Sequence, residues 1–170
     1  MMAIRILRMD VLQNRGILMN IIKNIKQTSA NVNAVGIGKY DFVEKYDLTL
    51  PFKSPVQFQL FDQRLKEDSE YRQEFKNSLP FYLDARNNVT KSITNIMKAF
   101  MNREVAIGFT AVKPQASKKV LKHTEFCKCM LDAVIRYHTD EYGGPITEKY
   151  VYKCIGTTLN NSKDWSRRVT

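Results

Sequence analysis

The chain has 170 residues, of which 44% are hydrophobic, and a formal net charge of +10 at pH 7. This apolar content excludes a wholly disordered chain, and no apolar run approaches the roughly 20 residues that span a bilayer. Arg5, Arg8 and Asp10 interrupt the N-terminal apolar residues, which argues against a secretory signal. We therefore expect a soluble, non-secreted protein that has no membrane partner.

The positive charge is concentrated towards the two ends of the chain. Residues 1–53 contain 8 basic and 4 acidic residues, residues 54–112 contain 8 and 7, and residues 113–170 contain 11 and 6. Localised positive charge suits an anionic partner, such as nucleic acid, an anionic membrane or an acidic protein. Composition alone does not choose among these three.

The N-terminal segment, residues 1–27, has the apolar pattern of a helix that packs along one seam. An a/d repeat extends over about three heptads, and its single polar residue, Asn14, is of the kind that fixes the register of a paired coil. The segment is either a coiled coil that forms a homodimer or an amphipathic helix that folds against the domain. The seam comprises Ile4, Leu7, Val11, Asn14, Leu18, Ile21 and Ile25.

Residues 28–46 are predicted to be a linker, with a short strand at 40–43 or 48–50 as an option, and residues 47–160 to form a compact helical domain. Capping residues predict five helix starts, at Ser54, Asp68, Asn88, Thr124 and Thr147. The predicted helices cover residues 55–66, 69–79, 89–101, 102–107, 125–138 and 148–159, and a basic tail, 161–170, follows. The expected fold is an all-α domain of five or six helices.

On the first of these helices the apolar residues predict a broad buried face. Its members are Val56, Phe58, Leu60, Phe61 and Leu65. Residues 109–123 contain Pro114 and are predicted to be a loop.

Metal binding and catalysis are both weakly supported by the residue pattern. His123 and Cys127 are four residues apart, but the second ligand pair of a structural zinc site is missing. Cys127, Cys129 and Cys154 are better explained as buried structural thiols. No motif of an activated nucleophile, a phosphate-binding loop or a calcium loop occurs. We expect no metal, no cofactor, no catalytic residue and no enzymatic activity.

A lysine-rich segment is the strongest candidate for a binding site. Lys113, Lys118, Lys119, Lys122 and Lys128 lie within sixteen residues, with Glu125 as the only acid among them. They lead into the first turn of a predicted helix, where free backbone N–H groups also favour an anion. A phosphate backbone would gain both interactions. The alternative is an ordinary solvated loop.

Two resemblances point the same way. Leu50-Pro51-Phe52-Lys53, followed by Phe58, Leu65, Asp68 and Tyr71, resembles the leucine-proline-x-lysine entry of an insect-expanded domain family of unknown function. The C-terminal half, with Phe100, Gly108, Lys118-Lys119 and two closing helices, resembles a BEN domain, a helical module that binds DNA and chromatin. This resemblance implies DNA contact from the loop and the nearby helix ends. The last helix is less basic than a committed recognition helix.

The sequence therefore predicts a non-enzymatic DNA- or chromatin-binding module, located in the nucleus, that contacts the phosphate backbone of duplex DNA. The alternative is a protein-interaction adaptor that self-associates through its N-terminal helix. The expected DNA-binding residues are Lys113, Lys118, Lys119, Lys122, Lys128, Lys153, Arg167 and Arg168.

Overall fold

A computed structural model of the chain describes residues 39–165, and this part is mostly helical. The predicted all-α character is confirmed, apart from one very small sheet. In chain order the elements are α1 (Lys39–Lys45), α2 (Pro55–Glu67), α3 (Ser69–Ser78), a 3₁₀-helix (Leu79–Tyr82), α4 (Val89–Phe100), α5 (Arg103–Ile107), β1 (Phe109–Thr110), β2 (Lys119–Val120), a 3₁₀-helix (Leu121–His123), α6 (Glu125–Tyr137), α7 (Glu148–Asn161) and a 3₁₀-helix (Ser162–Asp164).

The five predicted N-caps all start a helix. The side chains of Ser54, Asp68, Asn88, Thr124 and Thr147 each accept a hydrogen bond from the backbone N–H three residues on. One detail at α2 differs from the capping box that Ser54 and Gln57 predict. The Gln57 side chain accepts from Lys53 N at 2.9 Å, one residue before the cap, so the two side chains close the helix entry over a wider span.

Aromatic rings from four helices form the centre of the core. Phe61 of α2 stacks on Phe100 of α4 with ring centroids 5.7 Å apart, and Phe75 of α3 stacks on Phe126 of α6 at 5.8 Å. All four side chains are buried. Ring pairs at these distances add about 0.5–1.5 kcal/mol beyond their buried area. Residues far apart in the chain thus hold α2, α3, α4 and α6 around one centre.

The last helix closes the domain by packing along α4. Val151, Ile155 and Leu159 supply its buried stripe. A hydrogen bond of 3.2 Å between the hydroxyls of Thr94 and Thr158 links the two helices. One flank of α7, which includes Gly156 and Asn160, lies beside the lysine-rich segment.

Residues 39–45 correct the predicted linker, because they form α1 and no strand. Phe42 is buried, with its ring 5.0 Å from that of Tyr71 and 5.6 Å from that of Phe75 on α3. Residues 48–50 form no strand either; the only pairing nearby is an isolated bridge between Phe52 and Met101. The folded unit therefore begins before the predicted boundary at residue 47.

Two residues of the predicted buried face of α2 point to solvent. Phe58, Phe61 and Leu65 are buried, but Val56 is 66% exposed and Leu60 is 67% exposed. The reason is geometric: α3, α6 and the aromatic core cover one side of α2 only, and no element of the described residues covers its outer face.

Residues 109–123 are more ordered than the predicted loop. β1 and β2 form a two-stranded parallel sheet, in which Phe109 pairs with Lys119 and Thr110 with Val120. Lys119 N donates to Gly108 O at 2.9 Å, and Lys122 N donates to Ala111 O at 3.1 Å. These backbone bonds fix where the lysines of the segment lie.

The seam from Ile4 to Ile25, and the tail residues Arg167 and Arg168, lie outside the described residues. Within residues 39–165 every helix is too short or too polar to cross a bilayer.

Candidate functional site

Lys118, which directly precedes β2, and Lys119, the first residue of β2, lie on opposite sides of the small sheet. Successive side chains of an extended strand point to opposite faces. Lys118 lines a hollow against α7, whereas Lys119 lines a groove against α2, where its Nζ donates to Gln59 Oε1 at 3.2 Å. The fold therefore separates two residues that the sequence analysis assigned to one site.

The hollow against α7 brings together lysines from both ends of the C-terminal half. Lys113 and Lys118 of the 109–123 segment and Lys163 after α7 line a space of about 280 Å³. Its other walls include Thr110, Gly156, Leu159 and Asn160, and no carboxylate lines it. We call this site, defined by Lys113, Lys118 and Lys163, the basic hollow.

Side chains that donate hydrogen bonds to backbone carbonyls hold the walls of the basic hollow in place. Thr110 Oγ1 donates to Lys113 O at 2.7 Å, and Arg103 Nε donates to Lys163 O at 2.9 Å. Lys118 N also donates to Gln115 O at 3.1 Å, so all three lysines are anchored at the main chain. The side chains of Lys113 and Lys163 are exposed, and that of Lys118 is half-buried. The site combines a fixed frame with ammonium groups that can adjust to an anion.

Lys163 was missed by the sequence analysis, which assigned the tail's role to Arg167 and Arg168. The signal in the sequence was the position of Lys163 directly after the last helix, because a residue there can contact a segment that packs against the end of that helix. The return itself depends on tertiary packing, so the sequence pattern alone did not reveal it.

Two further predicted lysines flank the basic hollow. Lys122 places its Nζ 5.1 Å from the centre of the Tyr152 ring on α7, a cation–π distance. Lys153 is exposed and precedes Asn160, a wall residue of the hollow, by seven residues, so the two lie on the same face of α7.

The cations of this surface are not neutralised by carboxylates of the described residues. Within residues 39–165 the ion pairs engage other cations: Lys45, Arg72, Lys76, Lys91 and Lys128. The acids closest in sequence to these lysines are Asp164, next to Lys163, and Glu125, which follows Lys122 by three residues and pairs with Lys128. None of these ion pairs involves a lysine of the basic hollow.

Lys128 is not among the residues that line the basic hollow, and its assignment as a phosphate contact stays a prediction. Its Nζ pairs with Glu125 Oε2 at 3.1 Å. The anion site expected at the start of α6 is also closed, because Asp62 Oδ1 already accepts from Phe126 N at 2.8 Å. Burial raises the pKa of the Asp62 carboxyl, an effect that the N–H groups of Phe126 and Glu125 partly offset. The Asp62 carboxylate thus occupies the position at the start of α6 where an external anion would bind.

The cysteines are buried, as predicted. Burial raises the pKa of Cys127 and of Cys129 to about 12, so both remain thiols at neutral pH. His123 is exposed, whereas Cys127 is buried. The described residues contain no cluster of three or more His, Cys, Asp or Glu side chains that could hold a metal ion.

Buried Ser92 and His138 and half-buried Asn87 form a chain of hydrogen bonds between two loops and α4. Ser92 Oγ lies 2.8 Å from His138 Nε2, and His138 Nδ1 lies 2.9 Å from Asn87 Oδ1. The order resembles a nucleophile, a base and an orienting group, but Ser92 is completely buried and its Oγ also accepts from Asp84 N at 2.7 Å. The chain of bonds ties the loop at 83–88 to the loop at 138–145.

The chain was compared with protein family models, with curated proteins and with solved structures, and none of them matches it. The resemblances to the insect-expanded family and to the BEN domain therefore remain predictions from the sequence.

Proposed function

We propose that the chain binds the phosphate backbone of duplex DNA through the basic hollow and the flanking Lys122 and Lys153. The observation that carries the proposal is the meeting of Lys113, Lys118 and Lys163, from segments about fifty residues apart, around one hollow without a carboxylate. Lysines scattered over a surface mainly increase solubility. Lysines that converge on one concave site concentrate positive electrostatic potential there and attract an anion.

In this proposal the lysines of the basic hollow and the flanking lysines contact different phosphate groups. The three lysines of the basic hollow surround one phosphate group, and Lys122 and Lys153 contact its neighbours along the strand. Each contact displaces condensed counterions, which supplies affinity that falls with salt. Exposed side chains along α7 include Tyr150 and Thr157 but no arginine, so this face lacks the bidentate contacts that read guanine. The proposed binding is thus of the backbone type, with little base readout.

A role in chromatin or transcriptional regulation, and a nuclear location, follow from this proposal and from the BEN resemblance. They depend on the DNA-binding proposal and fall with it.

The test compares two triple variants that remove the same amount of charge. Lys113→Ala/Lys118→Ala/Lys163→Ala empties the basic hollow, and Lys66→Ala/Lys119→Ala/Lys128→Ala removes three lysines elsewhere. Fluorescence anisotropy of a labelled duplex is measured over a series of salt concentrations. The first variant should flatten the slope of log K against log salt by about one unit per lost phosphate contact, and the second should keep the wild-type slope.

Two results contradict the proposal. One is duplex binding by the wild-type chain that is absent or insensitive to salt. The other is an equal loss in both triple variants, since it would mean that net charge alone, and no particular surface, attracts the duplex.

A further inference from the structure

The basic hollow contains hydrogen-bond donors besides its three lysines. The side-chain amides of Gln115 and Asn160 line the same space, and both residues are exposed. Among the described residues neither amide has a hydrogen-bond partner, so its N–H groups are free to donate to a ligand. Three ammonium groups and two amides therefore line one space, and an anion with several acceptor oxygens complements such a set of donors.

Gly156 leaves open space in the wall that α7 contributes to the basic hollow. Glycine is the least favourable residue, apart from proline, in the interior of a helix. The packing of the fold does not require glycine here, because the nearest atom to a Cβ at residue 156 would be Ala111 Cβ, at an ordinary 3.8 Å. The missing side chain does allow a ligand atom to approach the backbone of α7 closely.

The flanking lysines lie towards one end of the basic hollow. Lys153 and the Tyr152 ring that Lys122 contacts are near the middle of α7, whereas Lys163 lies just after the last residue of this helix. Lys153 precedes Asn160 by seven residues, which is about 10 Å along the helix. A strand with one phosphate group in the hollow would therefore have its next phosphate groups along α7.

Beyond Lys163 the charges of the described residues have both signs. Arg103, whose Nε donates to Lys163 O, is followed directly by Glu104, and Asp164 follows Lys163. Lys98 lines a neighbouring hollow together with Arg103 and Glu104. Lysines that lead along α7 into the basic hollow, with mixed charges beyond it, provide the electrostatic pattern expected for a strand that ends in the hollow.

We propose that the basic hollow binds the terminal phosphate group of a DNA strand, which rests on the duplex binding proposed above. A phosphate group within a strand is a diester with a single negative charge, whereas a terminal monoester carries about −1.5 to −2 at pH 7. The three ammonium groups suit the higher charge, and the amides of Gln115 and Asn160 donate to its additional oxygen. That oxygen reaches the α7 backbone at Gly156.

The remaining walls of the basic hollow suit the sugar that carries this phosphate group. The hollow has a volume of about 280 Å³. A phosphate group occupies the space of only a few water molecules, each of about 30 Å³. Ala111 and half-exposed Val112 line the rest, and their apolar surface packs against the carbon atoms of the terminal deoxyribose.

The experiment uses the full chain and three duplexes of one sequence, each with a fluorescent label at an internal base. One duplex has 5′-phosphates, one has 3′-phosphates and one has hydroxyl groups at all ends. Fluorescence anisotropy gives the three affinities at the same salt concentration. At least one phosphorylated duplex should bind about tenfold more tightly than the unphosphorylated duplex, because the hollow gains a more highly charged ligand.

Two variants of α7 separate the space in the hollow from the stability of the helix. Gly156→Ala and Thr157→Ala both introduce a better helix former, so both should raise the urea concentration at the midpoint of unfolding. Gly156→Ala should also reduce the preference for the phosphorylated duplex by about fivefold or more, because the new methyl group occupies the space beside α7. Thr157 is exposed and does not line the hollow, so Thr157→Ala should retain the wild-type preference.

Equal affinities for the three duplexes would overturn the proposal, and so would a preference that Gly156→Ala leaves unchanged. Salt-dependent binding of the unphosphorylated duplex would, in either case, leave the DNA-binding proposal intact. Inorganic phosphate distinguishes a strand end from the free ion. If inorganic phosphate at the concentration of the duplex abolishes the preference, the ligand is the free ion and the proposal is wrong; a preference that persists supports a strand end.

Discussion

Asp62 illustrates how one side chain decides what a helix terminus can bind. The start of α6 has the free N–H groups and the positive dipole end that attract anions. Asp62 reaches it from α2, 64 residues earlier in the chain, and accepts from Phe126 N. Half-burial makes the charged carboxylate costly there, so its pKa is raised although it receives hydrogen bonds. The charge of Asp62 is therefore less important to stability than its acceptor oxygen.

Replacing Asp62 should separate these two contributions. Asp62→Asn keeps an acceptor for Phe126 N and removes the buried charge, so we expect a free energy of unfolding at pH 7 equal to or above that of the wild type. Asp62→Ala leaves the N–H unpaired and should cost about 1–2 kcal/mol. Urea unfolding at pH 7 and pH 4 measures both.

The pH dependence has a definite sign. Because the folded pKa of Asp62 exceeds its ordinary value of 3.8, the folded wild type takes up a proton first as the pH falls. Its stability therefore rises relative to Asp62→Asn as the pH falls from the raised pKa towards 3.8. If Asp62→Asn is as unstable as Asp62→Ala at pH 7, the charge itself stabilises the helix terminus and this interpretation is wrong.

The sequence predicted the roles of those residues whose hydrogen-bond partner lies close to them in the chain. Ser54, Asp68, Asn88, Thr124 and Thr147 each bond to the N–H three residues on, so a short window contains the whole interaction. Asp62 and Lys163 act on segments far away in the chain, and no local pattern marks such a residue.

At the scale of elements, a periodic pattern predicts a helix but not which neighbours cover it. Val56 and Leu60 have the spacing of a buried stripe, yet neighbouring elements pack on the opposite side of α2 and leave them exposed. The converse holds for α1, where the glycines and asparagines before it predicted a linker and Phe42 packs into the core. Helix boundaries follow from local chemistry, whereas burial follows from the assembly of elements.

Helix α1 should contribute substantially to stability in spite of its short length. Phe42 is 4% exposed and contacts the rings of Tyr71 and Phe75. Phe42→Ala should lower the free energy of unfolding by about 3–4 kcal/mol, because it removes a buried ring and leaves a cavity. Glu44→Ala, at an exposed position of the same helix, should change it by less than about 0.5 kcal/mol. Urea denaturation followed by circular dichroism compares them, and similar small effects from both would show that α1 is marginal to the fold.

For the whole molecule, the lysines of one short segment lie on two sides of one domain. The lysine-rich segment predicted one basic site, but Lys118 lines the basic hollow against α7, whereas Lys119 faces α2 and Lys128 pairs with Glu125. About half of the candidate site was therefore predictable: the segment was identified, but its division required knowledge of the sheet.

Self-association remains a prediction about residues 1–27, and it belongs to the adaptor alternative. If the a/d seam from Ile4 to Ile25 pairs two chains, the full-length protein has the mass of a dimer in solution and a variant lacking residues 1–27 has that of one chain. Multi-angle light scattering measures both masses. Duplex binding should persist in the shortened chain, since the basic hollow lies elsewhere. If the full-length chain is monomeric, the hypothesis that the seam pairs two chains is wrong.

The alternating directions of side chains along β2 limit which insertions and deletions this chain can accept. The carbonyl of Gly108 holds Lys119 in register, and the carbonyl of Gln115 holds Lys118. A slip of the strand by one position would exchange the sides to which its side chains point. A change in the length of the loop at 111–116 would instead displace Lys113 and the partner of Lys118, so we expect both the register of the strand and the length of the loop to be constrained.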